Sequence, residues 1–188
     1  MTNLKCPVCG KYVNANNYNF NSEAFIDKNK EDSIVYCPFC GASSIFFSTS
    51  GEVYNINSQE LDKNTLKIID HAVKLEIFNG DFYLKASEMC KSDKLKEMFK
   101  SLSSIEYEHS RIHMRLGGFK ETPVLINMNY SSYDTDEKLL KAASMREEHA
   151  VNYYEKYSKK INNKVLSKIF KILRDVEKIH IQLTLNEI

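Results

Sequence analysis

The feature that most restricts the fold of this chain is a pattern written twice. Glu76 is followed by a Glu-x-x-His at Glu106 and His109, and the same residues recur at Glu147, Glu177 and His180, each 71 positions later. Tyr83 and Tyr154, Leu95 and Leu166, Phe99 and Phe170, and Leu102 and Leu173 keep that offset. Residues three apart on a helix share a face, so each Glu-x-x-His can turn both side chains to one ion. A lone Glu-x-x-His is common on solvated helices. Here each of the two follows an inward Glu by 30 positions. Two helices giving a Glu and two giving a Glu-x-x-His make up the ligand set of a dinuclear metal site in a four-helix bundle.

Apolar periodicity predicts helices over about 63–91, 93–116, 136–160 and 163–187. In the first, Ile69, Glu76, Tyr83 and Cys90 fall seven apart, flanked by Ala72 and Phe82. The second turns Leu95, Phe99, Leu102, Glu106 and His109 inward. The third aligns Leu140, Ala143, Glu147, Ala150, Tyr154, Tyr157 and Ile161, which selects Glu147 and leaves Glu148 to solvent. The fourth aligns Leu166, Phe170, Leu173, Glu177, His180 and Leu183. A carboxylate inside an apolar stripe needs a cation or a proton, because burying it alone is costly. Four carboxylates neutralise two divalent irons, and one imidazole per ion leaves positions open for substrate. Each imidazole then has a second nitrogen for an acceptor that the sequence does not name.

Tyr83 and Tyr154 lie two turns beyond Glu76 and Glu147, within reach of a carboxylate or a core partner. Cys90 matches Ile161 across the repeat and reads as core. His71 and His149 match Ala142 and Phe78, so neither belongs to the duplicated set. His113, one turn past His109, matches Thr184 and is at most an auxiliary ligand or proton donor. Asp62 or Asn64 is the expected cap of the first helix, Ser92 or Asp93 that of the second, and Gly117-Gly118 its end. The second helix would span about 36 Å. The stretch 119–135 is long enough to return along it as a crossover.

The N-terminal part has a different logic. CPVCG holds Cys6 and Cys9, CPFCG holds Cys37 and Cys40, and 27 residues separate the pairs. Pro stiffens each turn and Gly permits a positive φ, so backbone N–H groups can face the sulfurs. Two such knuckles form a tetrahedral four-thiolate site for zinc or a single iron. Ser33–Tyr36 and Ser44–Phe47 are strand candidates, and 48–60 reads as a linker with room for brief strand pairing. The expected division is a cysteine module over 1–52 and a helical bundle over 58–188. Only 6 Gly and 3 Pro in 188 residues favour long helices over a turn-rich sheet fold. A net charge of +1 offers no field for nucleic acid. MTNLKCPVCG lacks a signal pattern and no run approaches a membrane span, so a cytoplasmic protein is expected.

From Ala72 to His180 the chain resembles the rubrerythrin family, through LEIFNGDFYLKA, KLKEMFKSLSSIEYEH and their shorter echoes. CPVCG and CPFCGASSIFF resemble the rubredoxin-like module of that family, here placed first. The resemblance implies a mainly α fold: a ferritin-like four-helix bundle preceded by a small rubredoxin-like or zinc-ribbon β module. It implies two Fe ions held by Glu76, Glu106, His109, Glu147, Glu177 and His180, with Glu106 and Glu177 bridging and Tyr83 and Tyr154 beside them. One Fe (or Zn) would sit on Cys6, Cys9, Cys37 and Cys40. The implied activity is reduction of hydrogen peroxide, or oxygen, by electrons from a reductase. They would pass through the four-cysteine centre, in a homodimer where one subunit's cysteine module approaches the other's bundle site. Position 150, where strongly peroxidatic members carry a further Glu, holds Ala, which is closer to a bacterioferritin-type ferroxidase centre. CGKYV matches a rubredoxin knuckle loosely. The alternatives are therefore iron oxidation and handling, or a zinc-ribbon binding module on a structural bundle.

Overall fold

The computed structural model describes residues 4–48, 51–126 and 128–188; positions 49–50 of the expected linker and 127 of the crossover lie outside them. The chain is mainly helical. Four helices, α1 (Lys63–Met89), α2 (Asp93–Gly117), α3 (Asp136–Ser158) and α4 (Lys164–Leu185), follow a two-stranded sheet of β1 (Leu4–Lys5) and β2 (Tyr12–Val13). Each helix starts on a side-chain cap that accepts orphan amide hydrogens: Asp62, Ser92, Thr135 and Asn163. Gly118, at φ 67°, closes α2 in the left-handed conformation that Gly adopts without strain. The short links Cys90–Ser92 and 159–163 fold α2 back along α1 and α4 back along α3. Asp136, the first residue of α3, accepts from the amides of Lys91 and Ser92, so the α1–α2 turn is pinned to the far end of the crossover. Among the described residues no helix is long and apolar enough to cross a membrane.

The stripes read from periodicity point inward. Ile69, Glu76, Tyr83, Phe99, Leu102, Glu106, His109, Ala143, Glu147, Ala150, Tyr154, Phe170, Leu173, Glu177 and His180 are all fully buried. Tyr157 is only half-buried, whereas Glu148, His71 and His149 are exposed. Two apolar clusters form. One gathers Ile69, Leu116, Tyr154, Phe170 and Leu173; the other gathers Phe82, Tyr83, Phe99, Leu102 and Leu140. The buried carboxylates belong to neither cluster and form a polar layer beside both.

The two strand candidates are not strands. Ser33 and Tyr36 make only isolated bridges, and Ser44–Phe46 is a single 3-10 turn. The segment between the knuckles is held instead by Asn29, whose amide donates to the Tyr18 and Tyr36 carbonyls and accepts from the Val35 and Tyr36 amides. With one polar side chain supplying these bonds, the backbone needs no ladder. The strands lie on either side of the first knuckle, where Leu4 pairs with Val13 and Lys5 with Tyr12.

The knuckles also share the helices' core. Cys6, Val8, Cys37, Cys40 and Ala42 join the cluster that contains Ile112, Leu116 and Ile169. Lys11 reaches Glu108 at 2.6 Å, and Arg115 donates to the Val8 carbonyl at 2.5 Å. Gly41, at φ 71°, is the tightest point of this docking: a Cβ there would stand 2.5 Å from Val176 Cγ1, next to Glu177. The variant Gly41→Ala is expected to lose roughly 2–4 kcal/mol from left-handed strain and overpacking together. Urea denaturation of the two proteins checks this; an unchanged midpoint would contradict the docking described.

Candidate metal centres

At the four-cysteine site both knuckles have one geometry. The Cys6 carbonyl accepts from the Gly10 amide at 2.8 Å, and the Cys37 carbonyl accepts from the Gly41 amide at 2.9 Å. Gly10 and Gly41 supply the positive φ that lets each turn close. Cys6 Sγ lies 3.7 Å from Cys40 Sγ, and Cys9 Sγ lies 3.6 Å from Cys37 Sγ. A tetrahedron with metal–sulfur bonds of about 2.3 Å has edges of about 3.8 Å, and a disulfide would need about 2.05 Å. The sulfurs therefore fit a metal and not a disulfide, and the four side chains form one potential ligand group. Hydrogen bonds from Cys37, Cys40 and Cys9 hold the Cys6 thiol well below its ordinary value, while burial pushes Cys37 and Cys40 up. Thiols arranged this way shed their protons when a cation arrives.

Between the helices, the six residues of the repeat meet. They form two overlapping groups: Glu76, Glu106, His109 and Glu177; and Glu106, Glu147, Glu177 and His180. Glu106 and Glu177 are common to both. His109 Nδ1 lies 3.5 Å from Glu106 Oε2 and 3.1 Å from Glu177 Oε1. His180 Nδ1 lies 3.3 Å from Glu106 Oε1 and 3.0 Å from Glu177 Oε2. Each shared carboxylate thus turns one oxygen toward each histidine, the disposition of a pair of bridges. Glu76 and Glu147 stand at the two outer ends.

The donor set calls for cations. Glu76 Oε2, both Glu106 oxygens, Glu147 Oε2, Glu177 Oε1 and His109 Nδ1 are buried without a hydrogen-bond partner among the described residues. Orphaned acceptors beside buried negative charge carry a large desolvation penalty. Protons reduce it in the metal-free protein. Burial, then the charges of Glu106 and Glu177, push Glu147 up to about 8 and raise Glu76 well above its ordinary value. Burial also opposes charge on Glu106, but hydrogen bonds to His109 and His180 outweigh it and hold that carboxyl low. Burial opposes charge on both histidines too, and the surrounding glutamates overcome it. Carboxylates and imidazoles in this number suit iron or zinc.

Around the ligands the repeat becomes a cross-brace. Tyr83 of α1 donates to Glu147 of α3, and Tyr154 of α3 donates to Glu76 of α1. Each hydroxyl therefore serves the other copy's carboxylate. Two histidine partners have no counterpart in the sequence reading. His109 Nε2 is 2.9 Å from the carbonyl of Cys40 and donates to it. His113 Nε2 is 2.7 Å from the Tyr154 hydroxyl, with its ring against Tyr154 and Phe170. Burial depresses His113 to about 3, so it stays neutral. A backbone carbonyl leaves no trace in a motif. His113 could have been found from its inward position one turn beyond His109; comparison with Thr184 pointed away from it. Within the chain, the cysteine module reaches the bundle site through the Cys40 carbonyl.

Comparison with protein-family models, with curated proteins and with solved structures finds no match for this chain.

Metal must displace the proton on Glu147, so acid should weaken binding. As pH falls through about 8, Glu147 becomes protonated in the metal-free protein and competes with the cation. Affinity at the bundle site is expected to drop about tenfold per pH unit for each proton displaced. Titrating the metal-free protein with Fe(II) or Zn(II) between pH 6 and pH 8.5 measures this. Affinity independent of pH would contradict the proton-balanced cluster.

Proposed function

We propose that the chain is a rubrerythrin-type, ferritin-like non-haem di-iron oxidoreductase. It reduces hydrogen peroxide, or oxygen, with electrons delivered through the four-cysteine centre. One observation carries this reading. Cys40 offers its thiolate to one centre, while its carbonyl receives the Nε2–H of His109, whose Nδ1 faces the other. The two centres are joined by two residues of one chain, a short path that supports passage of electrons between them.

Iron in the bundle would supply the two electrons that split the O–O bond, and iron on the four thiolates would replace them one at a time. The protein's own share is charge, position and protons. Glu106 and Glu177 span the two halves, and Glu76 and Glu147 close the ends. The Tyr83 and Tyr154 hydroxyls hold protons beside those end carboxylates. Peroxide reduction consumes two protons and two electrons and yields two waters. Burial in the helical core keeps bulk water from the site. The reading places the protein in the cytoplasm as a homodimer served by a reductase.

Ala150 favours a second reading. It is fully buried where peroxidatic rubrerythrins carry a further Glu, and a methyl group cannot ligate. The site then keeps its two-fold symmetry, as in a ferroxidase that oxidises and passes on iron. The experiment is anaerobic mixing of the reduced, iron-loaded protein with peroxide. Oxidation of the bundle iron within seconds, with sustained turnover on a donor and loss of at least about a hundredfold in Glu147→Gln, is the expected outcome. Iron(II) consumption with oxygen but no sustained peroxide turnover supports the ferroxidase reading. No oxidation on that timescale, or zinc in the thiolates above an iron-free bundle, removes both.

A further inference from the structure

A groove of about 760 Å³ runs between α1 and α3 beneath the crossover segment, outside both metal centres. Volumes of roughly 300–1,000 Å³ suit small organic ligands. Its walls are apolar: Leu75 and Phe78 from α1, Ala142 and Met145 from α3, Leu125 and Tyr133 from the crossover. Two polar side chains of the lining each keep one donor atom without an acceptor among the described residues. Asn79 is 1 % exposed, and its Nδ2 has no acceptor among the described residues. Arg146 presents its guanidinium to the Phe78 and Phe82 rings, 4.3 and 4.2 Å from their centroids, and its Nη1 is buried without an acceptor.

Among the described residues no Asp or Glu lines the groove, whereas Lys74, Lys138, Lys141 and Arg146 do. The three lysines pair with Asp70, Asp134 and Glu137. Arg146 makes no ion pair among the described residues. A guanidinium held by aromatic faces is oriented in advance, and its fork matches a carboxylate. A buried donor without an acceptor gains from one that a ligand brings.

We propose that this groove binds a small organic monocarboxylate with an apolar body. The carboxylate sits on Arg146 and Asn79, and the body lies against Phe78 and Leu75. The inference is independent of the reaction at the bundle site. Phe78, Asn79 and Arg146 are not among the proposed ligands, although Arg146 neighbours Glu147 in sequence.

The test is calorimetric titration of the full-length, metal-loaded protein with octanoate, against octan-1-ol as a neutral probe of equal body length. One octanoate per chain is expected, bound at least about tenfold more tightly than the alcohol. Arg146→Gln should lose that preference while still binding the alcohol as the parent does, which shows that the variant is folded. Asn79→Leu should weaken octanoate by a smaller factor, about threefold. Equal affinity for acid and alcohol, no saturable octanoate binding, or an unchanged Arg146→Gln overturns the proposal. It is also overturned if sedimentation shows this face covered by a second copy that octanoate does not displace.

Discussion

The structure depends on four carboxylates placed where a protein can least tolerate them. Glu76, Glu106, Glu147 and Glu177 are fully buried in the middle of four helices whose other inward residues are mostly apolar. Such charge persists only if cations or protons balance it. The arrangement of the neighbours follows from that need. The two histidines sit against the shared pair Glu106 and Glu177, while tyrosine hydroxyls cross from one helical hairpin to the other to hold the outer pair. A helical scaffold suits this load because its backbone polar groups are satisfied within each helix. The side chains alone carry the electrostatics.

The duplication sets up a symmetric site, and the N-terminal segment breaks the symmetry. His109 and His180 are equivalent across the repeat. Yet the outer nitrogen of His109 donates to the Cys40 carbonyl, whereas that of His180 is buried without a partner among the described residues. Tyr154 is backed by His113; at the equivalent position Thr184 turns its hydroxyl to the Ile181 carbonyl instead. One half of the site is thus hydrogen-bonded to the cysteine knuckles. The second knuckle gains its position from Gly41, whose missing side chain lets it settle against Val176 beside Glu177. A symmetric set of residues held asymmetrically gives the two candidate metal positions different surroundings.

What was legible in the sequence was whatever repeats with a helical period. The inward faces, the choice of Glu147 over exposed Glu148, and the core placement of Cys90 all follow from spacing. So does the meeting of the six repeated residues, because helix geometry converts sequence separation into direction. The strands escaped, since Leu4–Lys5 and Tyr12–Val13 are two residues each and exist only because the first knuckle folds the chain back. The candidates that looked like strands, Ser33–Tyr36 and Ser44–Phe47, were pre-empted by Asn29 and by a tight turn. The Cys40 carbonyl could not be anticipated from any residue type. Nor could the exchange of tyrosine partners, since spacing along one helix does not say what faces it from another. Arg146 and Asn79 sit at helical positions that a pattern of ligands gives no reason to inspect.

The central claim is that this bundle holds two metal ions between Glu106 and Glu177. Anomalous diffraction at the iron edge, from crystals grown of iron-loaded protein, addresses it directly. Two peaks about 3.5–4 Å apart are predicted, each beside one histidine and with both shared carboxylates between them. A single peak, or none within the bundle, would contradict the account.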